Sequence, residues 1–348
     1  MPAEWEPHRG TWLVWPHNDE TWPGRLEAVQ QAYAHMIAAL APGEWVFVVV
    51  ASEEHRRTLF ACLETHAGWQ RWKDHVRVLH WPTNDSWVRD TGPTAVLAER
   101  ADGAPGGGPR FRRAHVCWRF NAWGGKYPPW DDDDALAGRI AAWLGEPAIE
   151  ADLVLEGGSI DVDGAGTLLT TEQCLLHPNR NPGLDRAAIE ARLRALLGIE
   201  RIVWLGEGIV GDDTDGHVDD VARFVDRETI AVAVEPDPGH PNHAPLADNL
   251  ERLRALRTVE GRPYRIVELP QPPDVLSPDG DPLPASYANF YVANGVVLVP
   301  AYHPDTDARA LAALRGCFPE RRVVAIPSRD LVLGLGAVHC LTQPLPAL

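Results

Sequence analysis

Hydrophobic and polar positions follow two periods along the chain, and their alternation predicts a repeated α/β unit. Short runs rich in valine predict strands, and apolar residues spaced three and four apart predict helices. Strands are expected at residues 11–15, 44–50, 76–80, 94–97, 115–120, 159–162, 167–171, 201–205, 220–225, 229–234, 265–269, 289–293, 296–300, 322–326 and 340–343. Helices are expected at residues 24–40, 53–66, 131–144, 185–197, in a segment ending at 256, and at 306–315.

The order hairpin, helix, strand recurs about four times along the chain. Asn294-Gly295, between the strands at 289–293 and 296–300, is a strong signal for a two-residue hairpin turn. The two ends are expected to complete a fifth unit, in which residues 340–343 pair with residues 11–15. A fixed structural period is typical of a propeller-like ring, and we expect one catalytic domain over residues 1–348. The Gly- and Pro-rich segment Asp102–Pro109 is expected to be a flexible loop within the first hairpin.

The composition is strongly acidic, with 32 Lys and Arg against 49 Asp and Glu and a formal net charge of −17. Such a surface repels nucleic acid and anionic membranes but attracts small cations. Five widely spaced cysteines without a Cys-x-x-Cys pair indicate reduced thiols, and residues 1–8 lack the features of a signal peptide. We therefore expect a cytoplasmic protein with a small cationic ligand and no nucleic-acid or membrane partner. Homo-oligomerisation stays open.

Polar residues stand at the start of each predicted hairpin. They are Asp90, Glu156, His217 with Asp219, Asn289 and Cys340. In a closed ring, equivalent positions of successive units meet near the central axis, so these side chains are expected to converge. A cysteine and a histidine together provide a nucleophile and a general acid/base, which makes the set a candidate active site.

Three carboxylates beside a thiol raise its pKa, which makes chemical sense if the substrate is a cation that neutralises them. A planar guanidinium fits, because its paired N–H donors match carboxylates bidentately. In this hypothesis, Asp90 and Asp219 bind the guanidinium, and Cys340 attacks its central carbon. His217 protonates the leaving ammonia and then activates water to hydrolyse the amidino-thioether. Glu156 orients His217 and favours its charged form.

Several segments spread nearly end to end carry a family resemblance. They are MPAEWEPH at 1–8, TWLVWP at 11–16, NDSWVRDTGP at 84–93, FNAWGG at 120–125, EGG at 156–158, DGHVD at 215–219 and VHCLTQ at 338–343. Through them the chain resembles the agmatine deiminase and bacterial-type peptidylarginine deiminase family, within the guanidino-group modifying superfamily. The resemblance implies a five-bladed pseudo-symmetric α/β propeller, the pentein fold, in agreement with the repeat. It also implies the residue roles given above and no cofactor.

The resemblance further implies hydrolysis of agmatine to N-carbamoylputrescine and ammonia, a reaction of polyamine and putrescine biosynthesis. In agmatine-specific members, Trp87 would line the substrate channel and Asp213 would face the amine tail. Leu335 stands where those members tend to carry glycine, Ala337 and Asp220 where asparagine is more frequent, and Asp213 where glutamate is more frequent. These departures affect substrate selection more than the catalytic set. Arginine or peptidylarginine is therefore the alternative substrate.

Two other classes of function stay open from the residues alone. His217 and the aspartates of residues 213–220 suit zinc or manganese, so a metal-dependent hydrolase is an alternative. We nevertheless expect no metal, because no second His-rich cluster stands at ligand spacing. The other alternative is a non-catalytic guanidino or polyamine binder.

Three further residues or segments receive structural expectations. His339 would point away from Cys340 on a strand, so it is not expected to be the base. Asn289 could bind substrate or merely cap its hairpin. The aspartates at residues 131–134 are expected to be a solvated helix N-terminus.

Overall fold

The computed structural model describes residues 1–99 and 111–348, and within these ranges the strands form five separate sheets. The strands are β1 His8–Val14, β2 Trp45–Val50, β3 Val76–His80, β4 Thr94–Glu99, β5 Phe111–Arg119, β6 Ala148–Val154, β7 Asp161–Val162, β8 Thr167–Thr171, β9 Arg201–Leu205, β10 Ala222–Asp226, β11 Thr229–Val234, β12 Arg265–Pro270, β13 Tyr291–Ala293, β14 Val296–Ala301, β15 Arg322–Pro327 and β16 Gln343–Pro346. The predicted loop at Asp102–Pro109 lies outside the described residues.

Six longer helices cross between the strands or flank them, and five are single turns. The longer helices are α1 Leu26–Leu40, α2 Glu53–Glu64, α7 Leu136–Leu144, α9 Arg186–Leu197, α10 His243–Ala255 and α11 Pro304–Cys317. The single turns are α3 Trp69–Trp72, α4 Val88–Thr91, α5 Ala122–Gly125, α6 Asp131–Asp134 and α8 Glu172–Leu175. These counts refer to residues 1–99 and 111–348. No helix in those ranges is long and apolar enough to cross a membrane.

Four of the five sheets are built by the same connection, an antiparallel hairpin followed by a crossover to a parallel strand. The orders are β4-β5-β6, β7-β8-β9, β10-β11-β12 and β13-β14-β15, with β16-β1-β2-β3 as the fifth. In each three-stranded sheet the first pair is antiparallel and the second parallel, as in β10-β11 and β11-β12. This is the predicted hairpin–helix–strand unit, and the five units form the five-bladed α/β propeller.

The two ends of the chain close the ring by completing one blade together. Strand β16 pairs antiparallel with β1, with Trp12 opposite Gln343, and β1 pairs in parallel with β2. The predicted pairing of the ends is therefore confirmed. The strand begins at Gln343 rather than Cys340, because residues 337–341 form turns, in one of which the Thr342 N–H donates to the His339 carbonyl.

The core runs between neighbouring blades, since crossover helices such as α1 and α11 pack between their own sheet and the next one. The largest cluster joins α1 to the sheets of β2 and β14 and reaches the site through Trp87 and Cys340. Strands such as β2 and β14 are buried along nearly their whole length. Burial on both faces explains why they appear in the sequence as continuous apolar runs.

Sequence reasoning fails at two places in the blade of β4, β5 and β6. Strand β6, Ala148–Val154, was not predicted, because its Ala, Glu and Asp residues have low strand propensity and only one face is buried. The helix expected at residues 131–144 is split into α6 and α7. Its aspartates are not all solvated: Asp133 is buried and accepts N–H donors from Asn84 and Asp85, and burial raises its pKa to about 7.

Candidate active site

The polar residues at the head of each hairpin converge at one end of the ring. Asp90 lies in α4, and Glu156 precedes a short 3₁₀ turn. A second 3₁₀ turn, Val218–Asp220, stands before β10; His217 precedes this turn and Asp219 lies within it. Asn289 precedes β13, and Cys340 lies in the turns before β16. The chain thus brings together the five predicted catalytic residues, and all of them are buried, as is Asn289. The five are Asp90, Glu156, His217, Asp219 and Cys340.

His217 lies at the centre of three carboxylates. Its Nδ1 is 3.9 Å from Asp90 Oδ2 and 4.0 Å from Asp219 Oδ1, and its Nε2 is 3.9 Å from Glu156 Oε2. Both ring nitrogens, Glu156 Oε2 and Asp219 Oδ1 are buried without a hydrogen-bond partner among the described residues. Buried polar groups normally have partners, so unpaired atoms converging at one point mark a place for a polar ligand.

The environment of His217 favours the positively charged form of its ring. Burial alone would lower its pKa, but Asp90, the Cys174 thiol and Glu156 raise the pKa well above the usual histidine value. The backbone supports this position, because Asp212 accepts the N–H groups of residues 216 and 217 at 3.0 Å each. A charged histidine beside a carboxylate cluster can act as a general acid.

Cys340 presents its sulfur at the bottom of a cavity. Asn289 Nδ2 donates to Sγ at 3.1 Å and to Asp220 Oδ1 at 3.0 Å, and Sγ is 3.7 Å from Asp219 Oδ2. Burial, followed by the charges of Asp219, Asp220 and Asp90, raises the pKa of the Cys340 thiol well above its usual value. This direction agrees with the effect expected of carboxylates beside the thiol. Asn289 lies behind the sulfur and does not line the cavity.

Asp90 is held by two donors from different segments. Gly158 N–H donates to Oδ1 and the Trp123 indole donates to Oδ2, each at 2.9 Å. A Cβ at position 158 would approach His217 Nδ1 to 2.6 Å, and Asp219 Oδ2 and Asp90 Oδ1 to 3.0 Å. Glycine is therefore required at this point, because the three polar side chains pack against its backbone.

Glu156 is positioned by an arginine that sequence reasoning missed. Arg180 Nε donates to Glu156 Oε1 at 2.6 Å, and its Nη1 donates to Asp215 Oδ2 at 2.6 Å. Burial alone would raise the pKa of Glu156, but His217 and Arg180 lower it, which keeps the carboxylate ionised. Arg180 lies within no motif, and only the folded chain brings it to Glu156.

A second layer of buried charges supports Asp219. His339 Nδ1 bonds Asp219 Oδ2 at 2.6 Å and its Nε2 bonds Glu4 Oε2 at 2.9 Å, which agrees with the expectation that His339 is not the base. Glu4 also accepts from Arg89 at 2.8 Å and from Arg223 at 2.9 Å. Glu4 lies in the N-terminal motif at residues 1–8, which indicated that this segment matters to the site. The partners of Glu4 could not be inferred from the spacing of residues in the sequence.

A cavity of about 910 Å³ leads from the surface to Cys340 and Asp90. Trp87 lines it and packs against Gly336, where an added Cβ would lie 2.5 Å from the indole ring. Asp213 also lines it, bonded to Lys126 and Tyr127. Trp87 and Asp213 thus lie in the wall of the cavity, as the substrate-binding prediction requires.

One group of side chains has the geometry to hold a metal ion, among the residues that the structure describes. Glu156, Cys174 and His217 place one ligand atom each within 4.8 Å of one another. Their chemistry does not suit a cation, because metal binding needs a neutral histidine, whereas the pKa of His217 is raised, and because Arg180 is already paired with Glu156. The segment at residues 213–220, which suggested a metal site, contributes only His217 to this group.

Comparisons with known proteins agree with this arrangement. The chain is 37% identical over 369 residues to agmatine deiminase of Ectopseudomonas mendocina, across 100% of this chain and 95% of that protein. A solved agmatine deiminase of Enterococcus faecalis has a TM-score of 0.88 at 34% identity, covering 99% of this chain and 95% of that one. A Porphyromonas gingivalis structure, provisionally assigned as an arginine deiminase, has a TM-score of 0.88 at 37% identity, covering 99% and 97%.

The family match spans almost the whole chain. The model of the Porphyromonas-type peptidyl-arginine deiminases matches residues 1–346, which include the first and last strands of the ring. The match thus includes every predicted catalytic residue, from Asp90 to Cys340. The chain belongs to the Porphyromonas-type peptidyl-arginine deiminase family.

Proposed function

We propose that this protein is a hydrolase that deiminates agmatine to N-carbamoylputrescine and ammonia through a covalent bond to Cys340. The observation that carries the proposal is the convergence of His217, Asp219 and Glu156, whose buried polar atoms lack partners, beside a cysteine that opens into the cavity. Similarity to curated agmatine deiminases supports the same reaction. We also propose that residues 1–348 act as a single catalytic domain.

Substrate binding supplies the charge that the free site lacks. Asp90 and Asp219 face the space around His217 and can accept paired N–H donors from a guanidinium. The bound cation offsets the carboxylates that raise the pKa of Cys340, so the thiol loses its proton to solvent in the complex. Neutral ligands would leave the thiol protonated, and the site therefore selects cationic substrates by reactivity as well as affinity.

The first half-reaction forms a carbon–sulfur bond and releases ammonia. The Cys340 thiolate attacks the guanidinium carbon and gives a tetrahedral adduct. Protonated His217 donates its proton to one amino group, the carbon–nitrogen bond breaks, and ammonia leaves. The product is a cationic amidino-thioether on Cys340. Glu156 stabilises the charged ring before the transfer, because it lies 3.9 Å from Nε2.

The second half-reaction uses the now neutral His217 as a base. It removes a proton from water, and the hydroxide attacks the amidino carbon. The carbon–sulfur bond then breaks, returning the Cys340 thiolate and a urea group whose extra proton leaves to solvent. His217 ends protonated, as it began, so no external acid or oxidant is needed.

The cavity favours agmatine over arginine. A free arginine substrate carries a carboxylate that needs a cationic partner, but the one lysine or arginine among the described cavity-lining residues, Lys126, is already bonded to Asp213 and Asp215. Arg89, the arginine within a site motif, is buried and bonded to Glu4 and to the His339 carbonyl. The acidic lining, which includes Asp213, suits a terminal ammonium instead.

The proposed setting of the enzyme is the cytoplasm, with a small cationic substrate and without nucleic-acid or membrane partners. All five cysteines lie in the described ranges and none forms a disulfide, which fits a reducing compartment. The net charge of −17 disfavours polyanionic partners. Neither observation bears on homo-oligomerisation.

Ammonia release tests the proposed function. Wild type and Cys340→Ala are assayed with agmatine, free arginine and an arginine-containing peptide. We expect release from agmatine that is lost in the variant. Preferred release from arginine or the peptide would contradict the substrate while keeping the mechanism, and no release from any of them would contradict the function.

A further inference from the structure

Lys126 places an ammonium group at the mouth of the cavity, directly after α5. Its Nζ is 2.5 Å from the Asp213 carbonyl, 3.2 Å from Asp213 Oδ1 and 3.0 Å from Asp215 Oδ1. An ammonium has three N–H donors, so these three oxygens account for all of them. Lys126 is therefore fully engaged within the protein and has no donor left for a substrate carboxylate.

Lys126 neutralises the carboxylate best placed to receive a cationic tail. Asp213 lines the cavity, and its side chain is 38% exposed, so a substrate can reach it. The second oxygen of that carboxylate accepts from the Tyr127 hydroxyl. Among the described cavity-lining residues, Lys126 is the one lysine or arginine, whereas the acidic ones are Asp19, Glu20, Asp85, Asp90, Asp133 and Asp213.

The surrounding contacts keep the ammonium near this position. Asp215 is itself fixed by Arg180 at 2.6 Å and Asn179 at 2.9 Å, so its Oδ1 remains directed at Lys126. Burial alone would raise the pKa of Asp215, but hydrogen bonds from Asn179, Arg180 and Lys126, followed by the charge of Arg180, lower it to about 2. Lys126 thus binds two carboxylates, and one of them, Asp215, has a lowered pKa.

We propose that Lys126 is a specificity-determining residue, an internal counter-ion that occupies the acidic position where the terminal ammonium of a guanidino substrate would bind. The proposal rests on the proposed function, since it assigns the tail of the substrate to Asp213. A positive charge there both neutralises Asp213 and repels a second ammonium. Lys126 therefore reduces the preference of the site for dicationic over monocationic guanidines.

The test compares two guanidines that differ at the end of the tail. Agmatine carries a terminal ammonium on its four-carbon chain, and n-butylguanidine has a hydrogen atom in its place. We measure kcat/KM for both with wild type and Lys126→Met, which keeps an unbranched side chain but removes the charge. Lys73→Met is the matched control, because Lys73 and Lys126 are the two lysines of the chain and Lys73 is exposed and bonded to Gln70.

The expected result is a change in the ratio of the two kcat/KM values. In Lys126→Met, the ratio of agmatine to n-butylguanidine should rise about fivefold at low salt, the scale of a partly exposed ion pair. The rise should shrink as ionic strength increases, because exposed charges are screened. Lys73→Met should leave the ratio unchanged.

A purely structural role for Lys126 would appear differently. If the side chain only braces the loop of Asp213 and Asp215, both substrates lose activity by the same factor and the ratio stays constant, which would overturn the proposal. A lower ratio in Lys126→Met would also overturn it.

Binding separates this proposal from the proposed function. Dissociation constants for both compounds, measured by calorimetry in a Cys340→Ala background with and without Lys126→Met, give the same ratio without turnover. If wild type binds agmatine but does not hydrolyse it, the proposed function is refuted, and the ratio of dissociation constants still tests the counter-ion role. If neither compound binds in either background, the counter-ion role is refuted.

Discussion

Gly158→Ala is the substitution that should most sharply separate activity from stability. The added Cβ would lie 2.6 Å from His217 Nδ1 and 3.0 Å from the nearest oxygens of Asp90 and Asp219. These distances are shorter than side-chain carbons normally allow, so His217 must move by several tenths of an ångström. The Gly158 N–H that fixes Asp90 at 2.9 Å would shift as well.

The size of the effect follows from this displacement. A misplacement of about 1 Å at a reacting group can cost on the order of 100-fold in rate. We therefore expect kcat/KM for agmatine to fall about 100-fold, equivalent to about 2.7 kcal/mol of transition-state stabilisation. Overpacking of one methyl group should lower the free energy of unfolding by about 1–3 kcal/mol.

The assay is ammonia release, accompanied by urea unfolding to establish that the variant is folded. Gly138→Ala is the matched control, because Gly138 lies in α7 and a Cβ there meets nothing within 4 Å. It should keep wild-type activity and gain up to about 1 kcal/mol of stability from helix propensity. A folded Gly158→Ala protein with wild-type kcat/KM would refute the packing account of the site.

Three further substitutions test the groups around the site. Asn289→Ala should lower the urea unfolding free energy by about 1–3 kcal/mol, because Asp220 loses its buried donor; an unchanged value would contradict this contact. Arg180→Met should cost about 3–5 kcal/mol by leaving Glu156 unpaired, and adding Glu156→Gln should recover part of the loss; no recovery would exclude the pair as the cause. Asp133→Asn should gain stability relative to wild type as pH rises from about 4 to about 7, by up to about 1.4 kcal/mol per pH unit, because the raised pKa of Asp133 makes its ionisation destabilising; a constant difference in urea unfolding across that range would refute it.

The repeat and the catalytic set were predictable because both leave local signals. Buried strands such as β8 and β11 appear as short runs of apolar and β-branched residues bounded by turn residues, and their predicted limits match the structure. Each hairpin begins with a polar residue, and ring closure brings those positions together. Because the units form a ring, the regular spacing of these polar residues along the chain predicted that they converge around His217.

The supporting residues were not predictable because their partners are distant in sequence. Glu4 pairs with Arg223 and His339, and Lys126 pairs with Asp213, contacts that exist only after the blades assemble. Strand β6 was missed for a related reason: its residues have a weak local strand propensity, and its pairing with β5 overrides that propensity. Long-range pairing thus decides the features that sequence periodicity cannot indicate.

A covalent adduct on Cys340 is the most direct test of the account. Wild-type protein is mixed with excess agmatine, quenched with acid during turnover, digested and examined by mass spectrometry. The account predicts that the peptide containing Cys340 gains the mass of agmatine less ammonia, and that peptides containing Cys62, Cys117, Cys174 or Cys317 do not. Ammonia release from agmatine that continues in Cys340→Ser, with no adduct on the wild-type Cys340 peptide, would contradict it.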